Sequence, residues 1–303
     1  MFNSLARKEL LLYRTKLILL VLFAVLQAGS IIGQAWFFAR LIDETFLAGK
    51  GITEVTGIIT WLLVSIGVRM IAMYCQEKTA GSLAAASKKH LRDMILDKLF
   101  ALGAGLRERH GDVVHLLTDG LENVESYIAR YIPQMMYAIL VPLMMAFAII
   151  DSEPWVSIIL LITFPLIPFF FFFIGKKAEQ MNARQWERMS FLSGHFLDVL
   201  QGLVTLKLFG RAVEQREVIA KLSAEFRDST LRVLRVAFLS ALVLELIGTI
   251  STALVAVYMG VALLYGEVEF LPAFFVLLLA PEFYAPLRQL GAAFHTGMAG
   301  HVS

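Results

Sequence analysis

The 303-residue chain is 58% hydrophobic and only 17% charged, with a mean hydropathy of +0.71. This balance excludes an ordinary soluble domain, in which about one residue in four is charged. A net charge of +2 gives no sign of a nucleic-acid-binding surface, and the single cysteine, Cys75, excludes an intrachain disulfide. We therefore interpret the chain as an integral membrane protein, and we expect a lipid bilayer rather than nucleic acid as its partner.

Apolar runs along the chain predict an all-α membrane protein with six transmembrane helices. A helix needs about 20 apolar residues to cross the hydrocarbon core, because its backbone polar groups must be bonded within the segment. In chain order, the predicted spans are residues 17–42, 55–76, 131–150, 154–174, 236–265 and 270–290. The first run is longer than a signal-peptide core, so we predict that it is retained.

The loops between these spans alternate in charge. The short loops at 43–54, 151–153 and 266–269 hold seven acidic residues and one basic residue. The N-terminal segment and residues 77–130 and 175–235 hold 23 of the 27 Lys and Arg residues. Because positive charge accumulates in cytoplasmic loops, these segments and both termini are predicted to be cytoplasmic.

The two long basic segments, residues 77–130 and 175–235, are predicted to form cytoplasmic helical hairpins. In both, apolar residues recur at steps of three and four, which is typical of helices with one packed face. Glycines interrupt each segment near its middle and mark a short tip. Apolar side chains at the tips indicate a docking surface, or alternatively packing within the hairpin or against a partner copy.

Two stretches carry a family resemblance: residues 200–211, LQGLVTLKLFGR, and residues 279–291, LAPEFYAPLRQLG. Together with six spans and long inner hairpins, they resemble the transmembrane domain of type I (type IV fold) ABC exporters. The greatest likeness is to the CydD-type subunit of the cysteine/glutathione exporter needed for cytochrome bd assembly. The resemblance covers essentially the whole chain, residues 1–303.

This resemblance implies a permease of the bacterial inner membrane. It would export cysteine, glutathione or, alternatively, haem to the periplasm, as a heterodimer with a CydC-type half-transporter. The hairpin tips, about residues 110–119 and 203–211, would couple to nucleotide-binding domains that hold ATP and Mg. The implied coupling residues are Gly111, Asp112, Leu116, Asp119, Leu206, Lys207, Phe209 and Arg211.

The sequence contains no G-x-x-x-x-G-K-[ST] phosphate-binding loop. From this we expect no nucleotide-binding domain and no enzyme activity in this chain, with ATPase domains supplied elsewhere. We also expect no cofactor or metal of its own, since no histidine falls in the middle of a span. The alternative function is a membrane scaffold without an ATPase, which would assist oxidase assembly.

Ionisable residues inside spans are costly when they face lipid, so Arg69, Glu245 and Glu282 are expected to face a cavity or a partner. Arg69 and Glu245 both fall in the inner half of the membrane and could pair. One hypothesis is that Arg69 attracts an anionic or zwitterionic substrate whose amine binds Glu245 or Glu282. The alternative is a structural ion pair.

Uncharged polar residues complete the predicted pathway. Three of them lie three or four residues apart on the first span, where they line the pathway or hydrogen-bond a neighbouring helix. Pro281 and Pro286 predict a kink that forms either a gate or a simple bend. The predicted pathway residues are Gln27, Ser30, Gln34, Arg69, Glu245, Glu282 and Tyr284.

Overall fold

The computed structural model describes residues 13–102, 120–150, 152–167, 169–170, 181, 191–192 and 194–302. Within these ranges the chain is helical and contains no strand, so the all-α prediction is confirmed for this part of the chain. The helices are α1 Arg14–Ile42, α2 Ile52–Leu102, α3 Leu121–Ser126, α4 Ile132–Ile150, α5 Pro154–Thr163, α6 Leu203–Leu208, α7 Ala212–Leu264 and α8 Phe270–Val302. Short π-helices, Asp43–Leu47 and Tyr127–Tyr131, follow α1 and precede α4.

Five segments in the described part are long and apolar enough to cross a membrane: Arg14–Leu47, Ile52–Ala101, Val124–Ile150, Val213–Leu264 and Phe270–Gly291. The predicted span at 154–174 begins with α5, which has 10 residues. At 1.5 Å per residue, a helix of this length crosses only about half of the hydrocarbon core. A turn follows α5, and residues 171–174 lie outside the described ranges, so the six-span count stays a prediction.

The chain divides into two compact units, residues 1–165 with 244–303, and residues 166–243. In the first unit, α1 packs against α2, α4 and α8. Its buried face carries Ala24, Ala28, Ala35 and Ala39 at helical spacing. Small side chains let membrane helices approach closely, which explains how one helix packs against three others.

One apolar cluster joins α1 and α2 to the segment that begins at α3. Its buried members are Leu20, Ala80, Leu83, Ala84, Val124, Ile128 and Ile132. The Lys88 Nζ of α2 and the Glu125 Oε2 of α3 form an ion pair at 2.6 Å between the same helices. Burial of apolar side chains and this pair together fix the position of the chain as it enters α4.

Leu83 belongs to this cluster and is 0% exposed. We expect Leu83→Ala to lower the stability of the protein by about 2–4 kcal/mol, because it removes buried contacts and leaves a cavity. The control is Leu63→Ala on the same helix, where the leucine is 63% exposed. Thermal unfolding in detergent measures both variants, and equal midpoints would contradict this account of the cluster.

In the second unit, α6 forms a short helix between residues 194–201, which are helical, and the start of α7. Gly210 ends this segment with φ of 69°, in the left-handed region. Only glycine adopts this conformation without strain, so Gly210 permits the turn between α6 and α7.

The helix α8 continues through Pro281 and Pro286. A proline inside a helix has no N–H to bond the carbonyl four residues earlier, so each of the two prolines removes one hydrogen bond from α8. The Gln134 side chain of α4 donates from Nε2 to the Pro286 carbonyl oxygen at 3.0 Å and to Gln289 Oε1 at 3.3 Å. These bonds hold α8 against α4 close to its two prolines.

Candidate functional site

The first candidate site is a cleft of about 360 Å³ in the first unit. Arg69 of α2 and Glu282 of α8 form an ion pair across it, with Nη2 and Oε2 3.2 Å apart. Their side chains are 34% and 37% exposed. The two charges are therefore paired and still accessible from the cleft.

Other polar groups hold the Arg69 guanidinium in place. Its Nη1 donates to Gln34 Oε1 of α1 at 3.1 Å, and Gln34 Nε2 donates to the Ser65 carbonyl oxygen at 3.2 Å. The Tyr137 hydroxyl of α4 also lies in hydrogen-bonding contact with Arg69. Groups from α1, α4 and α8 thus orient one guanidinium on α2.

The remainder of the cleft is apolar. The Phe38 ring, which lines it, stacks on Phe274 of α8 with ring centroids 6.2 Å apart. The other apolar lining residues are Ile31, Ala35, Leu62, Ile66, Leu278 and Leu279. Such a cleft suits a small solute that carries both charges at one end and a less polar group at the other.

A second cleft, of about 310 Å³, lies between α7 and α8. Arg288 of α8 lines it and donates from Nη1 to both carboxylate oxygens of Glu245 on α7, at 2.8 and 2.9 Å. The remaining lining residues are Gly248, Thr249, Thr252, Ala253, Ala256, Pro281 and Tyr284.

Tyr284 is 1% exposed, and its hydroxyl joins three helices. It lies 2.6 Å from Thr163 Oγ1 of α5 and in hydrogen-bonding contact with Ser251 of α7. A hydroxyl both donates and accepts, so both contacts satisfy this buried group. Tyr284 therefore contributes to helix packing as well as to the wall of the second cleft.

The structure separates the predicted pathway residues. Gln34, Arg69 and Glu282 come together in the first cleft, whereas Tyr284 lines the second cleft and Glu245 is paired at its end. The prediction that Arg69 could pair with Glu245 is wrong: each residue has a different partner. The reason is that α8 contributes Glu282 to the Arg69 side and Arg288 to the Glu245 side.

The other two polar residues of α1 are buried between helices. Gln27 is 7% exposed, and its side chain is hydrogen-bonded to Gln76 of α2. Ser30 is also 7% exposed and donates to the Leu26 carbonyl oxygen of its own helix at 2.7 Å. Of the alternatives for the polar stripe, hydrogen bonding to a neighbouring helix describes Gln27, while Ser30 bonds within its own helix and Gln34 both contacts α2 and lines the first cleft.

The residues predicted to form the tip of the second hairpin lie in the second unit. Lys207 and Leu206 belong to α6, Phe209 caps it, and Arg211 pairs with Glu214 at 2.8 Å. Three apolar side chains here are largely exposed: Val204 at 72%, Leu208 at 81% and Phe209 at 77%. The tip residues of the first hairpin, Gly111, Asp112, Leu116 and Asp119, lie outside the described residues.

Sequence reasoning missed two residues around Arg69 and Glu245. Tyr137 sits within an apolar span and follows no pattern that marks it. Arg288 gave a usable signal, since it is an ionisable residue in the last predicted span and therefore needs a partner. A search of the neighbouring spans for an oppositely charged partner of each ionisable residue would have identified Arg288.

Comparison with known proteins agrees with this architecture. Residues 17–286 match the family described as the ABC transporter transmembrane region, and the chain belongs to that family.

Within the family, the chain is 34% identical to a Haemophilus influenzae protein named glutathione/L-cysteine transport system ATP-binding/permease protein CydD, over 92% of this chain and 50% of the relative. It is 36% identical to the Escherichia coli protein of the same name, over 88% of this chain and 47% of the relative. A Bacillus subtilis relative, named as the CydC protein of the same kind of transport system, is 32% identical over 94% of this chain and 50% of its own length. The resemblance to CydD-type subunits is confirmed, and the chain spans about half the length of these relatives.

These relatives correct one expectation. We expected no enzyme activity because the sequence has no phosphate-binding loop, but the relatives are named ATP-binding/permease proteins and this chain covers only about half of each. The absence of a phosphate-binding loop applies only to the membrane region that this chain matches, residues 17–286. It gives no ground for denying ATPase activity, and the scaffold without an ATPase loses its basis.

Proposed function

We propose that the chain is the membrane-spanning part of an ATP-driven exporter for cysteine or glutathione-type solutes. Transport would run from the cytoplasm to the periplasm across a bacterial inner membrane. The observation that carries the proposal is the accessible pair of Arg69 and Glu282 in the first cleft. The names of the relatives, which specify glutathione and L-cysteine transport, supply the substrate class.

The charges of the cleft complement the charges of these solutes. Cysteine and glutathione each carry a carboxylate and a primary ammonium. In the proposed complex, the carboxylate accepts from Arg69, the ammonium donates to Glu282, and the rest of the solute lies against the apolar lining. Gln34 keeps Arg69 in place while its ion-pair partner is exchanged.

Approximate magnitudes favour this exchange. The pair of Arg69 with Glu282 and the two contacts to the bound zwitterion are partly exposed ion pairs of the same kind, each worth about 0–1 kcal/mol. The exchange replaces one such contact by two, so it gains one contact against a modest ordering cost.

ATP hydrolysis would be coupled to transport through the predicted hairpin tips. We place ATP and Mg in nucleotide-binding domains and the tip around α6 in contact with one of them. Its exposed Leu208 and Phe209 support this role, because an exposed apolar patch marks an interaction surface. The proposed assembly is a heterodimer with a CydC-type half-transporter, and residues 110–119 form its other tip.

Transport by the complete protein with its partner tests the proposal. Inverted membrane vesicles are supplied with ATP and with radiolabelled cysteine, glutathione or haem, and accumulated label is measured. We expect ATP-dependent accumulation of cysteine or glutathione and none with a non-hydrolysable ATP analogue. Accumulation of haem alone, or of none of the three, would overturn the proposed substrate class.

A further inference from the structure

The cleft between α7 and α8 has a charged end and apolar walls. Arg288 lines the charged end and pairs with the adjacent Glu245, and their side chains are 35% and 59% exposed. Its walls are formed largely by small residues, Gly248, Ala253 and Ala256, opposite Pro281. This cleft is lined by none of the residues that surround Arg69, so it is a separate site.

The ion pair leaves part of each charged group unused. Arg288 donates to Glu245 only from Nη1. Within the described residues its Nε and Nη2 have no hydrogen-bond partner. A guanidinium with free donors binds an oxyanion, and an exposed carboxylate binds an ammonium. The matching ligand therefore has an oxyanion next to a primary ammonium.

The position of the pair indicates the source of that ligand. Gly248 lies so close to Tyr284 that an added Cβ would be 3.4 Å from the Tyr284 Cβ, and Glu245 pairs with Arg288. The partners follow in opposite order along α7 and α8, so the two helices run antiparallel here and Glu245 and Arg288 lie at the same end of the cleft. By the predicted topology this is the cytoplasmic end. The eleven helical steps from Glu245 to Ala256 extend about 16 Å into the bilayer, a length suited to an acyl chain.

We propose that this cleft binds an aminophospholipid, with the phosphate at Arg288, the ammonium at Glu245 and one acyl chain along the apolar walls between α7 and α8. A soluble zwitterion such as an amino acid shares the headgroup chemistry. A soluble zwitterion would cover only the charged end and leave the apolar walls of the cleft uncovered. The cleft is also open rather than enclosed.

Lipid retention by the purified full-length transporter tests this site. The delipidated protein is equilibrated with micelles holding equal amounts of phosphatidylethanolamine, phosphatidylcholine and phosphatidylglycerol, and bound lipid is counted by native mass spectrometry. We expect about a tenfold preference for phosphatidylethanolamine, because the choline headgroup has no N–H to donate and the glycerol headgroup has no ammonium.

Two substitutions separate the headgroup contacts. Glu245→Gln should abolish the preference over phosphatidylcholine, and Arg288→Gln should reduce retention of all three lipids. The control is Arg40→Gln, since Arg40 also pairs with a glutamate, Glu44 at 2.8 Å, outside this cleft. An unchanged preference in Glu245→Gln, or an equal loss in the control, would overturn the proposal.

A third variant keeps the test informative if the two charge variants misfold. Ala256→Phe keeps the ion pair and fills the apolar wall, so it should lower retention of phosphatidylethanolamine while Arg288 and Glu245 stay intact. Millimolar phosphoethanolamine and cysteine are added as soluble competitors. Displacement of bound lipid by either would assign the cleft to a soluble zwitterion and overturn the lipid assignment. The readout is lipid retention, so its failure leaves the proposed transport function unaffected.

Discussion

Replacing both charges of the first cleft, in the double variant Arg69→Met with Glu282→Met, is expected to reduce cysteine and glutathione transport by at least about tenfold without loss of stability. The double variant leaves no unpaired charge in an apolar cleft. Exchanging an ion pair for well-packed apolar residues is often neutral or stabilising. Transport falls because the substrate loses both of its charged partners, each a partly exposed contact worth up to about 1 kcal/mol.

The single variants should behave differently. Arg69→Met leaves Glu282 unpaired within the membrane, and an unpaired charge there costs several kcal/mol, so this variant loses stability as well as transport. Arg40→Met is the control, because Arg40 is 49% exposed in its pair with Glu44. We expect this control to transport normally.

The double variant also separates a structural ion pair from a substrate contact. Thermal unfolding and the initial rate of labelled cysteine uptake are measured on the same preparations over a range of concentrations. Wild-type transport with a stable double variant would show that the pair only joins α2 to α8. A rise in KM at unchanged stability is the result that the proposed site requires.

The second large effect is expected at the tip around α6. Phe209→Ser should reduce ATP-driven transport by more than about tenfold while the unfolding midpoint stays unchanged. The side chain is 77% exposed, so removing it takes little from the packing of this chain. An aromatic residue docked in a partner groove commonly contributes about 2 kcal/mol or more to binding.

The chain offers a closely matched control for this experiment. Phe46 follows α1 in the π-helix Asp43–Leu47, and it is also 77% exposed. Phe46→Ser should leave coupling intact, because the predicted topology places it in an outer loop away from any ATPase. ATP hydrolysis and transport are measured together in vesicles. Undiminished transport in Phe209→Ser, or an equal fall in both variants, would contradict the docking role of the tip.

Several features could be predicted from the sequence because they depend on neighbouring residues. The apolar runs predict membrane-crossing helices, since backbone hydrogen bonds must close within each segment. The stretches at 200–211 and 279–291 identified the family, which the match over residues 17–286 confirms. Helix lengths were less predictable: α2 continues without interruption from Ile52 through Leu102, well beyond the predicted span.

The sequence by itself determined that Arg69, Glu245 and Glu282 need partners, because a charge in a span is costly wherever it faces lipid. Only the tertiary structure decided which partners they have. Arg69 and Glu282 are 213 residues apart in the chain, and their contact depends on how α2 and α8 are rotated about their axes. Hydropathy gives the depth of a residue in the membrane but not this rotation, which follows from the packing of α1, α4 and α8.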